Sequence, residues 1–292
     1  MKEKSILITG GSGYLGRHLC AGAAKTHTIF TTYRTHSNDI KAGEPVQLDL
    51  TDRDAVLALV QDLSPQAIIH AAAINPGRGD EQTMVQVNTE GSRYVAEAAV
   101  AVGARLVHVS TDVVHDGCHA PYADNAAPSP LNAYGRSKAA AESVVTEIDP
   151  QAAIVRTSLI YGLEQMDRGT AGFIERIKKG ESLVLFNDVI RQPVWVENLV
   201  EALLKLANLD FAGILNVAGR QAMTREEFGR RLLDWWQIDA GNLLTSGRAA
   251  DISDTIPLDL RLSVSKAEQL LQMDLLGVDE VLAKHQEKSK RN

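Results

Sequence analysis

Uninterrupted apolar runs of strand length recur along the chain at Ser5–Thr9, 67–73, 105–109 and 152–157, with shorter ones at 27–32 and 46–50. Continuous runs, unlike alternating ones, indicate strands buried on both faces, the mark of a parallel sheet with a helix layer on each side. The intervals read as helices. One begins near Tyr14, and one opens at Asp52 and Asp54 with Thr51 as its cap. A third spans 81–102 with apolar positions at Met84, Val87, Val95 and Ala98 and a stop at Gly103, and a fourth carries Tyr134. The order is therefore β-α-β-α, and the fold class α/β with a doubly wound parallel sheet.

Beyond Gly162 this alternation fails, which predicts residues 1–160 as the sheet domain and 161–292 as mainly a smaller second lobe. Helical spacing marks 172–179 and 194–207. Gly213–Val217 reads as a return to the main sheet, so the segments near 194–217 belong with the first domain. Thr224-Arg225-Glu226-Glu227 is a capping box opening a helix through Trp236, and Trp235 and Trp236 pack the lobe. The loop 115–131, punctuated by Gly117, Pro121, Pro128 and Pro130, ends beside Tyr134 and is read as substrate-facing. The charged tail 284–292 is read as frayed.

Gly10, Gly13 and Gly16 follow the first strand at once and lead into the Tyr14 helix. Such a turn lets backbone approach a diphosphate, and the helix end offers unpaired N–H groups through Tyr14, Leu15 and Gly16. The sheet is thus Rossmann-type, and its ligands belong at the carboxyl ends of the strands. After the second strand no acid stands where one would bind a free ribose 2′-hydroxyl. Arg34 stands there instead, able to pair with a 2′-phosphate or to remain a solvated surface arginine. NADP(H) is accordingly expected and NAD(H) less favoured. Asp49 and Leu50 close the third strand, Asp49 facing the adenine or serving only as a turn aspartate. Ala71, Ala72 and Ala73 are small enough for backbone to pass close to a cofactor, while His70 is read as a buried, satisfied histidine. Asn88 either bonds the site strands or sits exposed on its helix.

The candidate chemistry is Ser110-Thr111-Asp112 at a strand end, together with Tyr134 and Lys138, four apart and hence on one helix face. Proton exchange by a phenol near neutral pH asks its pKa to fall from about 10 towards 7, roughly 4 kcal/mol. A lysine about 4 Å away at an effective dielectric near 20 supplies about that much. Thr111 would hold a substrate oxygen, and Ser110 could help. Arg191, near the lobe junction, is the residue read as taking a substrate phosphate, with a surface ion pair as the alternative.

Composition narrows the partners. The 292 residues are 45% apolar and 23% charged, a globular balance, and the net charge of −7 argues against a general nucleic-acid binder. Cys20 and Cys118 show no zinc spacing or disulfide framework, so no metal is expected and a reducing cytoplasm fits. Met1-Lys2-Glu3-Lys4 leads into an apolar run too brief for a signal peptide or membrane span.

Taken together, Thr9 to Gly16, Ser110-Thr111-Asp112, the block Pro130-Leu131-Asn132-Ala133-Tyr134-Gly135-Arg136-Ser137-Lys138 and Arg156-Thr157-Ser158 resemble the extended short-chain dehydrogenase/reductase family over nearly the whole chain. Within it the chain is similar to the dTDP-4-dehydrorhamnose reductases and to the regulatory beta subunit of methionine adenosyltransferase. The resemblance implies Thr111, Tyr134 and Lys138 as the catalytic trio. It implies cofactor contacts at the glycine turn, Ser110, Tyr134 and Lys138, and a substrate site including Thr111, Asp112 and Val113, to which the residue reading adds Arg191. The implied activity is NADPH-dependent reduction of a keto group on a nucleotide-sugar. An epimerase, dehydratase or other carbonyl reductase, and a non-catalytic NADP-binding subunit, are the alternatives; a homodimer is left open. The chain departs from the reductase pattern at Val113, His115 and Leu159, where aromatic residues are usual, and in the loop from Ile74 to Asp80.

Overall fold

The structure is a computed structural model describing residues 5–37 and 39–291, with side chains through residue 286. The opening tetrapeptide 1–4 and Asn292, the last residue of the tail, lie outside the described residues.

The first half of the chain runs β1 (Ser5–Thr9), α1 (Tyr14–Ala23), β2 (Thr28–Tyr33), β3 (Glu44–Gln47), α2 (Arg53–Leu63), β4 (Ala67–His70), α3 (Glu81–Met84), a π-helical turn (Val85–Glu90), α4 (Gly91–Val102) and β5 (Arg105–Thr111). It continues through α5 (Ala133–Ile148), β6 (Ala153–Thr157), β7 (Ile160–Tyr161), α6 (Arg168–Lys178), β8 (Leu183–Phe186), β9 (Ile190–Arg191), β10 (Val194–Trp195) and α7 (Val196–Ala207). The remaining elements are β11 (Gly213–Val217), β12 (Met223–Thr224), α8 (Arg225–Trp235), β13 (Leu244–Gly247), α9 (Ser265–Leu271) and α10 (Val278–Arg291).

Seven strands form one parallel sheet in the order β11-β6-β5-β4-β1-β2-β3. Because side chains alternate across a strand, Leu7, Ile68, Leu106 and Ile154 enter the core beneath α2 and α4. Their neighbours Ile8, Ile69, Val107 and Val155 enter the opposite core with Leu19 of α1 and Leu199 and Leu203 of α7. Two buried faces are why these runs are apolar at every position. Strand β11 pairs with β6 although it follows α6 and α7 in sequence. Two smaller pairs, β8 with β13 and β9 with β12, combine with α6, α8 and α10 around Tyr161, Leu232, Leu233, Ile174 and Val281. Among the described residues no helix is long and apolar enough to cross a membrane.

Local differences from the sequence pattern have identifiable causes. The third strand stops at Gln47, since Asp49 turns its carboxylate back to the Thr51 N–H and hydroxyl at 3.0 and 2.8 Å. Thr51 is thereby used up, and Asp52, accepting from the Ala55 N–H at 3.0 Å, caps α2 in its place. The segment 81–102 is not one α-helix: the π-helical turn interrupts it and buries Asn88 and Thr89. The tail is not frayed over 284–291; buried Val278 and Val281 dock the start of α10, and the helix carries on through Arg291.

Candidate active site

At the glycine turn, Gly10 takes φ +74° and lies against Ala72, whose Cα would be 2.8 Å from an added Cβ. A Cβ on Gly16 would collide with the Gly10 carbonyl. Helix α1 starts at Tyr14 with neither a side-chain cap nor an acid in its first turn, so its leading N–H groups are open and its dipole is uncompensated. That arrangement fits a diphosphate. The Tyr14 phenol points elsewhere, donating to the Gln165 carbonyl at 2.9 Å. Arg34 is exposed and sits 3.4 Å from Asp49. Asp49 is held below the usual carboxylate range, first by the Thr51 N–H bond, with its hydroxyl and Arg34 adding to it. The Leu50 side chain belongs to the core rather than to a ligand surface.

Asn88 is fully buried and clamps two segments. Its Oδ1 accepts from the Ile74 N–H at 2.7 Å, and its Nδ2 donates to the Ile74 carbonyl and Ser137 Oγ, each at 3.0 Å. It is neither exposed nor bonded to the strands; it ties the loop after Ala71–Ala73 to α5. His70 is buried, with both ring nitrogens bonded, to Thr9 and Ser92.

Ser110 and Thr111 end β5 on opposite faces. Thr111 Oγ1 accepts from the Val113 N–H at 3.2 Å and lies 3.3 Å from Asp112 Oδ1, with its hydroxyl close enough to the Tyr134 phenol to lower its pKa. Ser110 instead donates to Glu142 at 2.6 Å, on the side where Glu142 holds Arg156 in a buried ion pair. The sequence reading of Ser110 as a helper at the reacting centre is therefore corrected.

Helix α5 begins where Asn132 accepts from the Gly135 N–H at 2.9 Å, which sets Tyr134 and Lys138 into the site. The Tyr134 side chain is half-buried, and its pKa is pushed up to about 12. Burial is the main cause and Asp112 the next; the Thr111 hydroxyl and Arg191 pull it down. Lys138 does not lower it. Its ammonium is buried against the Val109 carbonyl at 2.7 Å and His108 Nε2 at 3.3 Å. Burial holds this lysine down at about 8, with Glu142 acting the other way. The expectation of a phenol pulled towards neutrality by the lysine gives way to a phenol kept protonated by its surroundings.

Arg191 does not face outward as a phosphate hook. Its Nε and Nη2 donate to the two carboxylate oxygens of Asp112 at 2.8 and 2.6 Å, and both residues are buried. Asp112 is thus also committed, and Val113 packs near Tyr122, Ala218 and Leu262. Of the residues read as substrate-binding, Thr111, Asp112 and Arg191 all act on the phenol, the last two from within their own ion pair.

Two residues escaped the sequence reading. A cleft of about 580 Å³ in the second lobe is lined by Asp167, Thr170, Phe173, Phe186, Arg225 and Phe228 among others. Arg225 lines it as an exposed residue, and burial of its guanidinium, then Arg191, lowers its pKa. In sequence it was only the first residue of a capped helix. The other is His108, hidden in an apolar strand with nothing local to mark it.

The chain matches the family described as RmlD substrate binding domain over residues 4–283. Methionine adenosyltransferase 2 subunit beta of Mus musculus is 28% identical over 291 residues, covering 92% of this chain and 83% of that protein. dTDP-4-dehydrorhamnose reductase of Mycobacterium tuberculosis is 32% identical over 234 residues, covering 77% and 73%. The crystal structure of a dTDP-4-dehydrorhamnose reductase from Bacillus anthracis in complex with NADP superposes with a TM-score of 0.82 at 26% identity, covering 97% of this chain and 98% of that one.

Proposed function

The chain belongs to the RmlD substrate binding domain family within the extended short-chain dehydrogenase/reductases, and from that membership we propose that it reduces a keto group of a nucleotide-sugar, dTDP-4-dehydrorhamnose first among candidates, with NADPH. The observation that carries this reading is the Tyr134 phenol set beside Thr111 and Asp112 at the carboxyl end of β5, in the same sheet whose first strand opens into the uncapped end of α1.

Residues 1–160, with the return segments near 194–217, hold the cofactor in this reading, and the rest of 161–292 holds the substrate. The Gly10–Gly16 backbone receives the diphosphate, Arg34 the 2′-phosphate, and Lys138 the ribose. NADPH, when bound, supplies a hydride equivalent. Tyr134 gives a proton to the carbonyl oxygen, and Thr111 aligns that oxygen. A phenol with a raised pKa suits this direction, because it stays protonated at neutral pH and a developing alkoxide is more basic than a phenoxide. Arg225 offers its guanidinium to the substrate's phosphates, and Phe173, Phe186 and Phe228 offer apolar walls to its base.

The test is NADPH oxidation with dTDP-4-dehydrorhamnose and a panel of related keto-sugars. Turnover that disappears in Tyr134→Phe supports the reading. A regulatory role is favoured by one observation, the 92% of this chain aligned with the methionine adenosyltransferase beta subunit. Absence of turnover across the panel, together with stable capture of a methionine adenosyltransferase catalytic subunit, would replace the enzyme with that role.

A further inference from the structure

Two histidines face each other across neighbouring strands: His70 of β4 and His108 of β5 are register partners, with ring centroids 5.2 Å apart. Both are buried, at 1% and 0% exposure. Their hydrogen-bond partners differ, and the difference decides where each ring proton sits. Ser92 Oγ donates to the Asn88 carbonyl at 2.6 Å, so that oxygen is left to accept from His70 Nε2 at 3.0 Å. Thr9 Oγ1 accepts from the Ala72 N–H at 3.3 Å, leaving its own proton for His70 Nδ1 at 2.7 Å. His70 is therefore a neutral ring protonated on Nε2, with both nitrogens satisfied.

His108 is arranged the other way. Its Nε2 lies 3.3 Å from Lys138 Nζ, while its Nδ1 is buried with no hydrogen-bond partner among the described residues. An ammonium has only donors, so beside a charged Lys138 the Nε2 must present its lone pair and the ring proton must occupy the unpartnered Nδ1. We propose that His108 is a positioning residue for Lys138, its Nε2 lone pair and the Val109 carbonyl together holding the ammonium in place below the carboxyl end of β5.

The groups facing this pair are few. Helix α5 brings Glu142, which acts on Lys138 but is itself bound by Arg156 and Ser110. Strand β4 brings His70, which together with Lys138 acts on His108. The π-helical turn and α4 bring Asn88 and Ser92, neither of which titrates. Burial keeps His108 well below the ordinary histidine value and His70 at about 3, so both rings are neutral where Lys138 exchanges its proton, at about 8. A lone pair beside an ammonium favours the charged form. Its removal therefore makes Lys138 surrender its proton at lower pH, and any ligand held by that ammonium should be lost at lower pH as well.

The inference has a test that needs no substrate: ¹⁵N-histidine NMR of the full chain at about pH 6.5, where Lys138 is charged and both buried rings are neutral, with His70→Gln and His108→Gln for assignment. His108 is expected as the Nδ1-protonated tautomer and His70 as the Nε2-protonated one. An Nε2-protonated His108 overturns the proposal. The consequence for ligand binding rests on the reading of Lys138 as a cofactor-holding residue, and is measured by titrating NADPH against pH. His108→Leu should move the pH midpoint of lost affinity down by about one unit, and His108→Gln, which keeps an acceptor, should restore at least half of that shift. An unmoved midpoint in His108→Leu, with only a lowered Tm, also overturns it. If NADPH binds none of the proteins, the proposed function fails, yet the tautomer of the wild-type chain still decides this inference.

Discussion

Asp112 and Arg191, 79 residues apart in the chain, meet in a buried two-pronged ion pair beside the Tyr134 phenol, joining the end of β5 to strand β9 of the second lobe. Removing one member leaves the other charged, buried and unpaired, which typically destabilises by about 3–5 kcal/mol. Asp112→Ala should show a loss of that order in urea unfolding. Asp112 also holds the phenol up, so Asp112→Asn should bring the Tyr134 titration to lower pH, read by tyrosinate absorbance. Unchanged unfolding in Asp112→Ala would show the pair to be dispensable.

Loss of the phenol tests the chemistry separately from binding. Tyr134→Phe removes the proposed proton donor yet leaves the glycine turn and Arg34 intact. Turnover should fall by about 10²–10⁴-fold, while the Kd for NADPH stays within about threefold, a change of less than a hydrogen bond. Retention of more than about a tenth of the wild-type rate would reject Tyr134 as the acid.

The proposed function places cofactor choice on one exposed guanidinium, that of Arg34. Arg34→Ala should weaken NADPH by about tenfold, the scale of one charge-assisted hydrogen bond, and leave NADH unaffected. Its pairing with Asp49 is solvent-exposed and should contribute less than about 1 kcal/mol, so Tm should not move. Equal weakening of both cofactors would point away from the 2′-phosphate.

Lys138 makes stability depend on pH in a particular direction. Its folded value of about 8 lies below the 10.5 of the unfolded chain. The resulting stabilisation is fully present above the unfolded value and is lost as pH falls through the folded one. Its full size is about 3 kcal/mol, from the usual conversion of pKa difference to free energy. Tyr134 acts oppositely between its unfolded value of 10.0 and about 12, so the comparison is made below that range. Unfolding free energy of the wild type should rise relative to Lys138→Met as the pH is raised from about 8 towards 10. Parallel curves for the two proteins would mean that the lysine is not desolvated as described.

The sequence by itself determined the parallel sheet and the placing of Tyr134 and Lys138 on one face of one helix, because both depend on local patterns. Apolar runs report burial on two faces, the glycines report a backbone approach that a Cβ would block, and Tyr134 and Lys138 share a helix face by their spacing alone. The capping box at Thr224 is likewise local, and Glu227 closes it in the structure. What each polar side chain does there was decided only by the tertiary structure. Whether Arg191 met a carboxylate or solvent depended on how the second lobe docks beside β5. Ser110 was turned to Glu142 by its place in the pleat, and Asn88 was turned inward by the π-helical turn. Lys138 was drawn to His108 and the Val109 carbonyl because those groups, about 30 residues away along the chain, lie directly beneath it once α5 packs on β5. Periodicity reports the environment of a position, whereas a buried charge takes whichever partner the packed elements bring within hydrogen-bond reach.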